Sequence, residues 1–144
     1  MPFELTPFGP EHLADVFALW RASDGLGLFG DTHERVSDCL RRSPGMSFVA
    51  LRGGALAGAV LCTHDGRRGY LHHLAVAPDC RRQGIGRALA ESCAAALEAQ
   101  GIPKCHLFVM RTNPGALAFW AGIGWVERDD IVMMSRTLDS AGSR

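Results

Sequence analysis

One stretch decides most of what this chain can become. Leu74-Ala75-Val76 reads as the end of a strand, and Pro78 breaks it. Arg81, Arg82, Gln83 and Arg87 then crowd the start of a long helix that opens at Gly84-Ile85-Gly86. A strand feeding a short loop straight into a helix specifies an α/β chain, because the helix must pack back over the sheet. The first turn of a helix leaves N–H groups unpaired and carries a partial positive charge. Glycine lets an oxyanion reach that backbone, and the arginines add full charge. The chemistry so specified is a pyrophosphate cradle. No Gly-Lys-Ser/Thr follows, so it is not a Walker A loop. Leu89 stands at the third glycine of the dinucleotide fingerprint, which excludes that reading too.

The rest of the chain supplies the frame. Its 144 residues make one domain, residues 1–144, with a frayed end from Asp139 to Arg144. Fifteen basic and fifteen acidic side chains balance, so no global field draws in nucleic acid. No apolar run approaches a membrane span, and Met1-Pro2-Phe3-Glu4 lacks the features of a signal peptide. Five cysteines without a CxxC pair fit reduced thiols in a cytoplasmic protein and no metal site. Phe3–Thr6 reads as a strand. Leu13, Val16, Phe17 and Trp20 follow helical spacing, and Asp31 or Thr32 caps a second helix carrying Val36, Cys39 and Leu40. Strands follow at Met46–Arg52, Ala55–Thr63 and Tyr70–Val76, the first two joined by Gly53-Gly54. Gly84–Ala99 is the longest helix, Cys105–Met110 a strand, and Pro114 begins another helix capped by Asn113 or Thr112. Trp125–Val126 and Ile131–Ser135 read as a closing strand pair. The fold class is a mixed α/β chain, mostly antiparallel in its central sheet and flanked by helices.

At these residues the sequence resembles the GNAT family of N-acetyltransferases. Arg81-x-x-Gly84-x-Gly86 matches that family's acetyl-CoA signature, and Leu74-Ala75-Val76-x-Pro78 the strand before it. Asn113-x-x-Ala116-x-x-Phe119-Trp120-x-x-x-Gly124-Trp125 is similar to a later family segment that ends its helix in Phe-Tyr. The resemblance spans nearly the whole chain and looks nearest to the small YpeA-like branch. It implies that the backbone of Leu74, Ala75 and Val76 pairs with a pantetheine arm. It implies that the amides of Arg82 to Arg87 hold the pyrophosphate, that Asn113 bonds the arm or fixes the loop, and that Phe119 and Trp120 pack near the thioester. Acetyl-CoA is the implied donor. The implied acceptor is a small-molecule amine or a peptide N-terminus, and homodimers are common in the family.

Proton handling is less well specified. The family's usual acid is a tyrosine where this chain has Trp120, whose indole does not ionise usefully. Tyr70 is the only tyrosine. Strict alternation along Tyr70-Leu71-His72-His73 puts Tyr70, His72, Leu74 and Val76 on one face, and Leu71, His73 and Ala75 on the other. His72 matches a family base position and titrates near neutrality. His73 reads as structural. Asp24, in the glycine-rich loop after the first helix, is a further candidate to grip or deprotonate a cationic amine. A non-catalytic acetyl-CoA sensor is the competing reading, motivated by Trp120 and by Phe108 where ribosomal-protein acetyltransferases carry a glutamate.

Overall fold

The apolar run 55–64 forms β3 (Ala55–His64), buried on both faces from Ala57 to Cys62 because helices cover both sides of it. β1 (Glu4–Pro7), β2 (Phe48–Arg52), β4 (Gly69–Val76) and β5 (Cys105–Leu107) complete a sheet in the order β1-β2-β3-β4-β5. The first four strands are antiparallel, and β5 joins β4 in parallel. That parallel join needs a crossover, which α3 (Ile85–Ala99) provides. The computed structural model describes residues 2–23 and 25–138. Asp24 and the expected frayed end lie outside the described residues.

Two apolar clusters sandwich the sheet. α1 (Leu13–Ala22) and α2 (His33–Arg42) press Val16, Phe17, Trp20 and Val36 onto Val49, Ala59, Leu61 and Ala75. α3 and α4 (Pro114–Gly122) press Ile85, Leu89, Cys93, Leu97 and Trp120 onto Ala57, Val60, Cys62 and Leu71 from the other side. Each fully buried large side chain contributes roughly 1.5–3 kcal/mol. One buried polar group ties the strands further. Ser47 Oγ accepts from the Cys62 N–H at 2.8 Å and donates to the Cys62 carbonyl at 3.2 Å.

The expected elements shift in physically readable ways. β1 runs one residue further than expected and includes Pro7, tolerable at the end of an edge strand where no N–H is needed. β2 starts at Phe48 rather than Met46, which instead joins the core. β5 ends at Leu107, three residues short of the expected Met110, because β4 and β5 part there. The expected closing strands at 125–126 and 131–135 are absent among the described residues. The run Ile131-Val132-Met133-Met134 is apolar, but a strand also needs a main-chain partner. Arg128 clasps Asp130 at 2.8 Å, and Val126, Ile131, Val132, Met133 and Met134 stay exposed.

Candidate active site

The site begins with an irregularity in β4. Ala59 faces Ala75 and Leu61 faces His72, so Val60 stands opposite both His73 and Leu74. His73 takes φ +53° to absorb the extra residue. This bulge resets the alternation of side chains. Leu71 therefore joins the α3 face, whereas Ala75 joins the α1–α2 face. The expectation of one shared face for Tyr70, His72, Leu74 and Val76 is corrected accordingly: Leu74 and Val76 pack on the α3 side. His73 turns toward α1, with its ring edge-on to Trp20 at 5.0 Å.

Past the bulge the sheet opens. β5 pairs with β4 only at Gly69–Leu71. From His72 to Val76 the β5-facing edge of β4 has no strand partner among the described residues. The gap is part of a cavity of about 940 Å³, within the range of small-molecule sites. Leu74, Ala75 and Val76 form one wall and Leu107, Phe108 and Val109 the other. Phe119 and Trp120 of α4 line it, His73 reaches into it, and Arg81 to Arg87 close one end apart from Gln83.

That end has the expected character of a cradle. Among the described residues, no backbone N–H from Arg81 to Arg87 donates a hydrogen bond to the protein. The chain is shaped for this by two left-handed residues, Arg82 at φ +63° and Gly84 at φ +82°. A Cβ on Gly84 would meet no atom within 4 Å, so the position needs glycine for its conformation and lies open toward any ligand. Gly86 has a different job. A Cβ there would sit 3.1 Å from Phe119 Cζ, so the missing side chain lets α4 pack against the first turn of α3. Arg81, Arg82 and Arg87 have no carboxylate partner among the described residues. The Nε of Arg81 folds back to the Val76 carbonyl at 3.3 Å. Gln83 is turned aside by Arg52, which donates to its Oε1 at 3.2 Å. A pyrophosphate-bearing ligand fits this end: a run of free donors, an open approach at Gly84 and uncompensated positive charge.

The loop between α1 and α2 also contributes to the lining. Gly25 and Leu26 line the cavity there. Gly25 sits at φ +79°, and a Cβ would lie 2.5 Å from Asn113 Nδ2. Asn113 in turn caps α4 by accepting from the Ala116 N–H at 3.1 Å. Thr32 caps α2 by accepting from the Arg35 N–H, leaving Asp31 free for another partner. That partner is His73, whose Nε2 lies 2.7 Å from Asp31 Oδ2.

The expected catalytic residues divide. Asp24 lies outside the described residues. Tyr70 and His72 stack at 6.3 Å, and Tyr70 also stacks on Phe108. They flank the Phe108 wall, but it is His73 and not His72 that lines the cavity. Burial lowers the pKa of His72, His73 beside it adds to the effect, and Asp31 opposes it. Burial pushes the Cys105 thiol up to about 12, helped by Cys62, so it stays protonated and packs as an apolar group. Trp120 is nearly buried, edge-on to Phe119 and Trp125, a wall of the slot rather than a proton donor.

With this geometry in view, the comparisons are consistent. Residues 13–125 match the model of the Acetyltransferase (GNAT) family. The chain belongs to that family. It is 29% identical over 136 residues to an acetyltransferase of Pectobacterium atrosepticum, covering 94% of this chain and 96% of the relative. It is 27% identical over 135 residues to an acetyltransferase of Sodalis glossinidius (strain morsitans), covering 94% and 95%. Among solved structures, the PaiA N-acetyltransferase of Thermoplasma acidophilum in complex with coenzyme A superposes with a TM-score of 0.78 at 19% identity, covering 91% of this chain and 94% of that one. An aminoglycoside acetyltransferase from an uncultured soil metagenomic sample superposes with a TM-score of 0.74 at 18% identity, covering 95% and 97%. The solved structures establish the fold: a mixed α/β sheet flanked by helices.

Proposed function

We propose that this protein transfers an acetyl group from acetyl-CoA to a primary amine of a small molecule or a protein N-terminus, by direct attack in a ternary complex. One observation carries the reading. The run of unbonded N–H groups from Arg81 to Arg87 and the gap between β4 and β5 open into the same cavity. Acetyl-CoA supplies an activated thioester when bound. The chain's own part is to hold it. The amides of residues 82–87 grip the pyrophosphate, with Arg81, Arg82 and Arg87 adding charge. The free edge of Leu74, Ala75 and Val76 accepts the pantetheine arm as an added strand. The Val76 N–H faces the developing oxyanion. Phe119 and Trp120 exclude water beside the thioester.

The acceptor enters past Leu26 and Phe108, where Tyr70 and His72 flank the wall. Asp24, in the same loop, is the residue we assign to steering a cationic amine. That mostly apolar loop favours a small amine over a protein terminus. The Leu19-Trp20 end of α1 supports a place near the YpeA-like branch, and we place the activity in the cytoplasm.

The test is thiol release from acetyl-CoA across a panel of alkyl, aromatic and peptide amines. Amine-dependent release is the expected result. Acetyl-CoA binding without release on any amine would instead support a sensor. Tighter binding of ATP than of coenzyme A would overturn the cradle assignment.

A further inference from the structure

Outside the cradle, His73 lines the cavity and pairs with Asp31, which lies beyond the lining. His73 and Asp31 come from different elements, meet at 2.7 Å, and are only 16% and 24% exposed. His73 also occupies a left-handed conformation, which for a residue with a side chain costs roughly 1–3 kcal/mol and persists only where its surroundings enforce it. The bulge that imposes this strain sets the ring between Trp20 and Asp31 at a residue that lines the cavity. It does so within the stretch from His72 to Val76 that has no β5 partner among the described residues.

Building on the acetyltransferase reading, we infer that His73 is the catalytic base that takes the proton from the acceptor amine, with Asp31 as its positioning residue. The Asp31 carboxylate accepts a hydrogen bond from Nε2–H, which fixes the tautomer and leaves the Nδ1 lone pair bare. Nδ1 has no hydrogen-bond partner among the described residues. An alkylammonium that loses a proton to Nδ1 becomes a neutral amine. Its nitrogen forms the new C–N bond to the acetyl carbon, and the C–S bond breaks. The departing thiolate takes up the second nitrogen proton, and the imidazolium, steadied by Asp31, releases its proton to solvent. One acetyl group has moved, one thiol has formed and one proton is released. Among the described residues, the ionisable groups that face His73 are Asp31 between α1 and α2 and His72 on its own strand; Asp31 also acts on Cys39 of α2. From α1 the ring meets Trp20, which carries no charge.

The alternative is a clamp that merely pins the loop between α1 and α2 to β4. His73→Gln keeps a hydrogen-bond donor for Asp31 but cannot act as a base. The experiment compares wild type, His73→Gln and Asp31→Asn, with acetyl-CoA affinity measured by calorimetry and kcat and KM by thiol release. The acceptors form a series from strongly basic alkylamines to hydroxylamine, which is neutral at pH 7. For His73→Gln, kcat on alkylamines should fall about 10²–10⁴-fold. It should fall less than tenfold on hydroxylamine, and acetyl-CoA affinity should stay within twofold of wild type. The acid limb of the alkylamine pH–rate profile should disappear. Asp31→Asn should give a smaller loss in kcat. Added imidazole should restore part of the activity of His73→Gly. Equal losses on every amine, or wild-type kcat in His73→Gln with acetyl-CoA affinity intact, would overturn the base assignment alone. A wild-type protein that binds no acetyl-CoA, or acetylates no amine, would overturn the acetyltransferase reading and the base with it.

Discussion

The two glycines that open α3 should fail in different ways when each is given a methyl group. Gly84 has φ +82°, and a Cβ there touches nothing. Gly84→Ala therefore carries only the left-handed penalty, about 1–2 kcal/mol. For a chain of this length that lowers Tm by roughly 3–8 °C. Its methyl group also stands in the space a pyrophosphate would fill. Hydrogen bonds to a charged group contribute about 1.5–3 kcal/mol each, so losing one should weaken coenzyme A binding about 10–100-fold. Gly86 has its would-be Cβ 3.1 Å from Phe119 Cζ. Overpacking of this kind costs about 1–3 kcal/mol, offset by about 1 kcal/mol from the better helix propensity of alanine. Gly86→Ala should thus lose about 0–2 kcal/mol, and Phe119→Leu should relieve that loss. Differential scanning calorimetry gives Tm, and isothermal titration with coenzyme A gives Kd. A Gly84→Ala protein that binds coenzyme A within twofold of wild type would refute the assignment of that position to the cradle. Additive effects of Gly86→Ala and Phe119→Leu would refute the packing role.

Three further outcomes follow from other contacts. Ser47→Ala leaves the Cys62 N–H buried without its acceptor and should cost about 1–3 kcal/mol in urea unfolding; no change would mean that another group satisfies it. Burial lowers the folded-state pKa of His72 below its unfolded value, so the unfolded chain binds the extra proton first. Stability should accordingly fall as pH drops below the unfolded histidine value and level off below the folded one, and His72→Gln should flatten that slope in melting curves between pH 7 and 5. With its thiol pushed up to about 12, Cys105 should react with iodoacetamide at pH 8 roughly three orders of magnitude more slowly than free cysteine; labelling at the free rate, read by mass spectrometry, would contradict its packed environment.

Some of this was legible in the sequence and some was not. The helix faces, the hairpin at Gly53-Gly54 and the strand-to-helix turn at residues 76–86 are local signals, each written within a few consecutive residues, and all are where the sequence puts them. The bulge is not local. It exists because Val60 on β3 faces two residues of β4, and nothing within Tyr70–Val76 announces that shift. Alternation grouped His73 with Leu71 and Ala75, whereas the bulge keeps it on the Ala75 side and sends Leu71 to the other face; the pair with Asp31 has no local signal on this strand. The only trace in the sequence was Asp31 beside Thr32: once threonine takes the cap, the aspartate is free to bond elsewhere. The opposite error occurred at Ile131–Ser135. There the apolar pattern is real, but a strand is defined by its partner, and the described chain offers none.

The central claim is that the N–H groups from Arg81 to Arg87 hold a pyrophosphate. Backbone amide NMR of ¹⁵N-labelled protein, titrated with coenzyme A and separately with pantetheine, tests it most directly. Coenzyme A should shift the resonances of residues 81–87 strongly, and pantetheine, which lacks the pyrophosphate, should leave them in place. Coenzyme A that shifts only residues elsewhere, or shifts none, would contradict the account.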